Sequence, residues 1–524
     1  MYPYFTNQDL TLLICGSLLL ITSVIVFHFK KRKAALLLLM AGTFLFGCFV
    51  ALINNYLSTW DEQFHAVVAK NMMHHPFKPM FYSNPVLGYD YKDWTSNHIW
   101  LHKQPLFLWQ MAATMAVFGV NIFGLRLPSI LQHAVLCVFI YRIGKITVNE
   151  KVGFYGALLF AVAHYPLEMV SGIYASDHND VAFLFYFMAS LWAWFEYWNS
   201  GNRKWLLLIG VFAGCAFLVK WTTGLLVFAI WGITILINNE KRIKIRSYLD
   251  WLLSFAAALI VLLPWQLYIL FAFPAEAKFE FLMNSKHLTH CIEEHCGNFW
   301  FHIENMSILY GSAVLIPYFI LLSLIVYIIK IKSKDFKVAI MGIVLITYLV
   351  FSIAQTKMIS YTAIAMPVSF LSVAAFIDKV LGFIFRFLKQ KILQFIISTC
   401  VLIFISYSFL DLNGVYHNHT YGKYDENWLF KYKTIEKNII EQVRNTLTKP
   451  NYVVFNTSYQ GYGHAGYLFY TDFTAYSYIP DKDQISLLKN KGHRIAILDF
   501  GDLPDYIISD TGITKIVTNE QKIK

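Results

Sequence analysis

The sequence predicts a polytopic α-helical membrane protein that ends in a small soluble α/β domain. Three observations carry that prediction. Only 14% of the 524 residues are charged and 57% are hydrophobic, against about 25% charged in an ordinary soluble protein. The apolar residues gather in runs of roughly 20, the length a helix needs to cross a bilayer. From residue 412 onward the texture changes to mixed polar sequence with short apolar stretches. A soluble enzyme, a disordered chain and a disulfide scaffold are excluded.

The runs place about twelve spans, at 10–29, 34–56, 123–145, 152–172, 181–198, 205–221, 222–238, 249–273, 307–329, 338–356, 359–377 and 392–410. A basic cluster follows the first run instead of preceding it, so the run reads as a span and not as a cleaved signal peptide. Alternate connections are basic. They hold Lys30, Lys31, Arg32 and Lys33; Arg142, Lys145 and Lys151; Arg203 and Lys204; Lys241, Arg242, Lys244 and Arg246; Lys330, Lys332, Lys334 and Lys337; and Lys379, Arg386, Lys389 and Lys391. These six short loops carry 21 of the 43 Lys and Arg residues, and the positive-inside rule makes them cytoplasmic. That accounts for the net charge of +11 better than nucleic-acid binding, which needs a basic face.

The opposite side receives loop 57–122, the junction 173–180, the turn at 220–222, loop 274–306, the junction at 357 and everything after 411. The chain therefore divides into a transmembrane domain, 1–411, and a soluble extracytoplasmic domain, 412–524. Within loop 57–122, His65, Val68, Ala69, Met72 and Met73 keep a helical period, and 106–118 reads as an interfacial helix. Trp60, Trp94, Trp100 and Trp109 fit an aromatic belt. In the last domain 450–455, 494–499 and 515–517 read as strands, and 485–489 and 506–510 as helices. Gly461, Gly463 and Gly466 are followed by aromatic residues and read as a loop, not a phosphate cradle.

The outer side also collects the unusual polar residues. Asp61 and Glu62 are adjacent carboxylates at a bilayer surface, a placement that calls for a partner or a purpose. Asp177-His178-Asn179-Asp180 opens the fifth span, where Asp180 also suits a helix cap. Nine basic residues lie on this side before 411, and four of them are Lys103, Arg126, Lys220 and Lys357. Lys220 and Lys357 also suit snorkelling to the interface. Carboxylates and cations on one membrane face fit a reaction on a phosphorylated lipid: cations hold the phosphate and a carboxylate activates or orients the attacking group.

Loop 287–296 holds His287, His290, His295, Cys291 and Cys296. Its spacing is irregular for zinc, and both thiols face an oxidising side, where a Cys291–Cys296 disulfide is the simpler reading. Neither is required. The other five cysteines lie within apolar runs as packing residues.

Trp60-Asp61-Glu62 with His65 and Ala66, then His102-Lys103-Gln104-Pro105-Leu106, then Arg126-Leu127-Pro128-Ser129 resembles the signature order of the type C (GT-C) membrane glycosyltransferases. The nearest branches are the lipid A aminoarabinose transferases and the polyprenyl- or dolichyl-phosphate-mannose protein mannosyltransferases. Asp180, Lys220, Pro264-Trp265 and Lys357…Tyr361…Pro367 match in order, so the resemblance covers most of residues 55–375. The sequence departs from the pattern in an extra preceding span, in Gln104 where a second proline is usual, and in the competition of Asp177 and Asp180 for one acidic position.

The resemblance implies a GT-C architecture and an inverting enzyme that moves a sugar from a polyprenyl-phosphate carrier to a lipid, glycan or protein acceptor. It implies Asp61, Glu62 and Asp180 as catalytic residues. Lys103, Arg126, Lys220, Lys357 and Tyr361 would bind the donor phosphate, with Asp177, His178, His65 and His102 as further candidates. A divalent cation on Asp61, Glu62 and Asp180 would suit their oxygen ligands, without the arrangement being diagnostic. The place implied is a bacterial inner membrane with the active site outside. The alternatives are a transporter or flippase, which would place its charges near the bilayer midplane, and an O-antigen-ligase-like enzyme with a diphosphate-linked donor.

Overall fold

The computed structural model describes residues 5–58, 61–173, 177–311, 315–419, 428–457 and 463–518. Trp60 and Gly461, singled out above, lie outside them. Eight helical runs are long and apolar enough to cross a membrane: Asn7–His28, Arg32–Ile53, Ile122–Thr147, Lys204–Ile237, Ile245–Ala272, Lys334–Ile353, Ile359–Phe387 and Lys391–His419. The other apolar runs are helical too, but as shorter or more polar pieces, so twelve separate spans are not established. Residues 152–172 form two helices, Glu150–Val162 and His164–Ser171. Pro166 has no N–H to give residue 162 and its ring crowds that carbonyl, so the helix breaks at an extended Ala163. The runs at 205–221 and 222–238 form one apolar stretch, bent by a 3-10 turn at Trp221–Leu225.

Helix starts follow local chemistry. The Asn121, Asn149 and Asp177 side chains each accept a backbone N–H of the helix they open, satisfying a donor that has no partner inside the helix. Large apolar side chains left exposed, such as Leu18, Ile260 and Phe404, face hydrocarbon in a membrane and need no protein partner. The protein is an integral membrane protein.

The basic connections converge at one end. Arg32 and Lys145 both pair with Glu150, Lys330 with Asp378, and Lys241 with Asp335. Loops far apart in sequence therefore share one face.

Beyond the last span, β1 (Tyr452–Phe455), β2 (Thr474–Ala475), β3 (Arg494–Asp499) and β4 (Ile513–Val517) form a parallel sheet in the order β2-β1-β3-β4. Val454 is in register with Ala475 and with Ala496. Parallel neighbours need crossovers, and helices supply them: His464–Tyr470, Lys482–Asn490 and Asp505–Ile508. Gly463 lies in the turn immediately before the first of these, as read, while Gly466 lies inside the helix, which corrects its reading as a loop. A further helix, Trp428–Thr446, precedes the sheet.

This unit sits on loop 57–122. The Leu57 N–H donates to Tyr470 Oη at 2.9 Å, and Tyr82 Oη donates to the Ala475 carbonyl at 2.8 Å. Lys70 Nζ donates to the carbonyls of Leu468, Phe469 and Thr471 at 3.1, 3.1 and 2.9 Å.

Candidate active site

The helix Asp61–Met72 begins with both acidic residues in its first turn, where carboxylates meet the positive end of the helix dipole. Consecutive positions on a helix point about 100° apart, and here the two carboxylates have different surroundings. Glu62 is fully buried. Asp61 is about a quarter exposed and faces Lys103, with Nζ 3.4 Å from Oδ2.

Glu62 is saturated. Its Oε1 accepts Arg126 Nε at 2.6 Å and lies 2.9 Å from His178 Nε2. Its Oε2 accepts Arg126 Nη2 at 2.8 Å and the Ser58 N–H at 2.6 Å. Arg126 spends its remaining donors on the carbonyls of Ala51 (2.6 Å), Asn54 (2.9 Å) and Tyr56 (3.0 Å). All five of its N–H groups are then used, at 1% exposure. This corrects two expectations: Arg126 has no donor left for a phosphate, and Glu62 has no oxygen left for a metal or a sugar hydroxyl. Together they pin the loop after the second span to the third. Gly172 closes the other side of Glu62. Its φ is +70°, and a Cβ there would stand 2.7 Å from Oε1.

His178 and His65 are likewise committed. His178 Nδ1 lies 2.8 Å from Ser129 Oγ. His65 Nδ1 lies 2.7 Å from Asp177 Oδ2, both side chains being 1% exposed, and Asp177 Oδ1 caps the helix His178–Ser200 through the Asn179 N–H. The competition between Asp177 and Asp180 is resolved by this division of labour. Asp177 holds the loop, while Asp180, one turn in, pairs with Lys220. The Lys220 ammonium also stands 5.3 Å from the centre of the Tyr361 ring.

Lys103 is the hub of the site. Burial alone would lower its basicity, but Asp61, Glu293, Asp177 and Tyr361 together hold the ammonium above the ordinary lysine range. At Asp61 burial works to raise the carboxyl, and Lys103, His65 and His102 outweigh it, leaving it below the ordinary aspartate range. His102 stacks on Trp94 at 4.6 Å, and its Nδ1 lies 3.6 Å from buried Glu280. Gln104 accepts the Gln266 amide at 2.7 Å, tying the strip 102–105 to the helix Ile245–Ala272.

Lys357 is not free either. Its ammonium donates to the carbonyls of Phe351 (3.0 Å) and Ser352 (2.6 Å), which end the helix Lys334–Ile353. Two of its three protons thus cap that helix, which leaves one donor for a further partner. Its backbone N–H donates to the His295 carbonyl at 2.8 Å, docking loop 287–296 beside it. Cys291 and Cys296 are joined as a disulfide. Glu293 and Glu294 at the tip of this loop have φ of +53° and +62°. Among the described residues no group of three or more His, Cys, Asp or Glu is arranged to hold a metal.

Sequence reasoning missed three charged groups. Glu293 lies within electrostatic reach of Lys103. Lys433 and Glu436 of the helix Trp428–Thr446 are buried beside the Glu62–Arg126 pair. Burial pushes Lys433 down to about 8 and Glu436 up to about 8.

A site built from a partly exposed carboxylate, two lysines and a tyrosine can be set beside known proteins. Residues 102–268 match the family model for dolichyl-phosphate-mannose-protein mannosyltransferase. Over 88% of both chains the structure superposes on ArnT from Cupriavidus metallidurans bound to undecaprenyl phosphate, with a TM-score of 0.62 at 13% identity. The fold is that of the type C glycosyltransferases. It also superposes on the archaeal oligosaccharyltransferase AglB from Archaeoglobus fulgidus, with a TM-score of 0.55 at 11% identity over 85% of this chain and 64% of that one. In sequence, the chain is 28% identical over 254 residues to the undecaprenyl phosphate-α-4-amino-4-deoxy-L-arabinose arabinosyl transferase of Pseudomonas aeruginosa. That match covers 45% of this chain and 41% of the relative, so the chain spans about two fifths of the length of the curated relatives it matches. The resemblance read from the motifs therefore agrees with three independent comparisons.

Proposed function

We propose that the protein transfers a glycosyl group from a polyprenyl-phosphate carrier to an acceptor at the extracytoplasmic face of a bacterial inner membrane. The observation that carries this reading is the Asp61–Lys103 pair. At 3.4 Å it is longer than a charge-assisted hydrogen bond of about 2.7–2.9 Å. The ammonium therefore keeps donors for a third group, and a donor phosphate can replace Asp61 as its partner. A transporter fits less well, because Asp61 and Asp180 sit in the first turns of their helices and not on interrupted helices at the midplane, although Lys220 borders the 3-10 turn Trp221–Leu225. A diphosphate-linked donor would call for more cations than Lys103 and Lys220, each of which already faces a carboxylate.

In this reading the acceptor oxygen attacks the sugar C1 from the side opposite the phosphate. The new C1–O bond forms as the old one breaks, and the electron pair leaves on the polyprenyl phosphate. Lys103 stabilises the charge that builds there, as a preorganised cation does best in a site partly shielded from water. Asp61, released from the lysine, takes the proton of an acceptor hydroxyl; an acceptor that is already a phosphate needs only to be oriented. Lys220 and Tyr361 line the same opening, and Asp180 holds Lys220. Glu62, Arg126, His65, His178 and Asp177 set the geometry without touching substrate. The soluble unit 412–524, docked on loop 57–122, forms the roof on the acceptor side.

The test is release of labelled sugar from synthetic polyprenyl-phosphate monosaccharides by purified protein. Wild type should turn over; Asp61→Asn and Lys103→Ala should each lose the activity while keeping the wild-type elution profile. Turnover in Asp61→Asn with loss in Lys103→Ala would mean an anionic acceptor. No release from any monosaccharide-phosphate carrier overturns the reading.

A further inference from the structure

At the end of the molecule opposite the candidate site, a cavity of about 420 Å³ opens between the helices Asn7–His28, Glu150–Val162, Ile359–Phe387 and Lys391–His419. We propose that it binds the headgroup of an anionic phospholipid. The volume falls in the range that holds small ligands, about 300–1,000 Å³. Its lining mixes the basic side chains Lys151 and Lys391 with His28 and the aromatic rings of Phe29, Phe385 and Phe395.

The cations are the informative part. On this end of the protein several basic residues are spent on carboxylates: Arg32 and Lys145 on Glu150, Lys241 on Asp335, Lys330 on Asp378. Lys151 and Lys391 have no ion pair among the described residues, although both line a concave site. The one acid in the lining, Asp378, already accepts Lys330 at 2.7 Å and the Asn149 amide at 3.2 Å. Among the described residues the cavity lining thus keeps two lysines against a single carboxylate that is already paired elsewhere. Basic pockets between helices on the cytoplasmic side suit anionic lipid headgroups.

The rim selects a lipid over free phosphate. Phe29 is 69% and Ile392 77% exposed, on spans whose outward faces meet hydrocarbon. A phosphate drawn to Lys151 and Lys391 would lay acyl chains along these residues. Gly382, in the wall, has nothing within 4 Å of where a Cβ would be, so the space is open there.

The experiment uses full-length purified protein in detergent, titrated with dioleoylphosphatidylglycerol, dioleoylphosphatidylcholine or inorganic phosphate and followed by thermal unfolding and native mass spectrometry. The glycerol lipid should raise the unfolding midpoint and remain bound, and the other two should not. In K151Q/K391Q its apparent affinity should fall about 30-fold, from roughly 1 kcal/mol per lysine near a membrane surface. G382L, which intrudes on the cavity wall while keeping both charges, should weaken retention of the lipid and fold as wild type; Lys244→Gln, on the same end but outside the cavity, should bind normally. Equal response to the choline lipid or to phosphate overturns the proposal. So does unchanged retention of the glycerol lipid in G382L, which keeps the test decisive if the double variant fails to fold.

Discussion

Arg126 and Glu62 meet in a two-pronged ion pair, Nε to Oε1 at 2.6 Å and Nη2 to Oε2 at 2.8 Å, with neither side chain more than 1% exposed. Breaking a buried pair by removing one partner leaves an uncompensated charge and costs about 3–5 kcal/mol. Glu62→Gln removes one charge of the pair, and Arg126→Lys keeps the charge but loses the forked donors that reach Glu62, Ala51, Asn54 and Tyr56, so both should lower the thermal unfolding midpoint and the yield of folded protein. Lys103→Ala, at a partly exposed site, should leave the midpoint within a degree or two. Arg126→Lys with a wild-type midpoint and no turnover would reverse the assignment and give the arginine a direct part in the reaction.

Asp61, like its neighbour Glu62, is held ionised, but it is partly exposed where Glu62 is fully buried. Lys103, His65 and His102 hold its carboxyl below the ordinary aspartate range against the pull of burial. A carboxyl whose folded value lies below its unfolded one contributes stability that is present above about pH 4 and is lost as the pH falls through the folded value. The group is ionised across the neutral range, so the pH–rate profile of glycosyl release should show no acid limb from it above about pH 5. Lys103→Gln removes the main counter-charge and leaves burial less opposed. Its residual activity should then acquire an acid limb at higher pH than wild type. A wild-type limb above that point would sink the assignment of Asp61 as the ionised group.

Much of this was legible in the sequence because it rests on local rules. Hydropathy and the basic loops gave the membrane fold and grouped the ends that Arg32–Glu150 and Lys241–Asp335 bring together. The ordered motifs brought Asp61, Lys103, Asp180, Lys220 and Tyr361 to one face. What failed was the division of labour among charged residues of the same type. Glu62 and Asp61 are adjacent in the chain, and nothing in the sequence shows that one turns inward to Arg126 while the other turns toward Lys103. Lys357 matched its motif position, and nothing in the sequence shows that its ammonium also caps the carbonyls of Phe351 and Ser352. The contacts of Lys70 with Leu468, Phe469 and Thr471 span about 400 residues, beyond any local pattern.

Those Lys70 contacts make a third prediction. The ammonium has three protons and uses each on a carbonyl at or just beyond the end of the helix His464–Tyr470, the position where cations are most favourable. Lys70 also stands on the same helix as Asp61, so the soluble unit grips the element that carries the reactive carboxylate. Lys70→Met leaves those carbonyls without the ammonium, a loss of about 1–3 kcal/mol. Limited proteolysis should cut the connection before β1 faster in that variant, and glycosyl release should fall several-fold. Lys70→Arg should recover much of both. Unchanged proteolysis in Lys70→Met would show that the docking rests on Tyr470 and Tyr82 instead.

The Cys291–Cys296 loop supplies the last prediction. Two consecutive glutamates at its tip hold positive φ, a conformation that costs a side-chain-bearing residue about 1–2 kcal/mol. The disulfide and the Lys357 N–H to His295 hydrogen bond restrain that tip beside Lys103, whose charge senses Glu293. Closing so short a loop contributes about 2 kcal/mol in the chain-entropy account, enough to offset the cost at one glutamate and not at both. Reduction, or the double change Cys291→Ser and Cys296→Ser, should free the tip while leaving the spans intact. Proteolysis within 287–296 should accelerate, the global unfolding midpoint should hold, and turnover should change with the carrier lipid far from saturation more than at saturation. Glu293→Gln in the oxidised protein should reproduce the change in turnover without the change in proteolysis. If Glu293→Gln leaves turnover untouched while reduction alters it, the loop acts through the backbone at Lys357 and not through the glutamate charge.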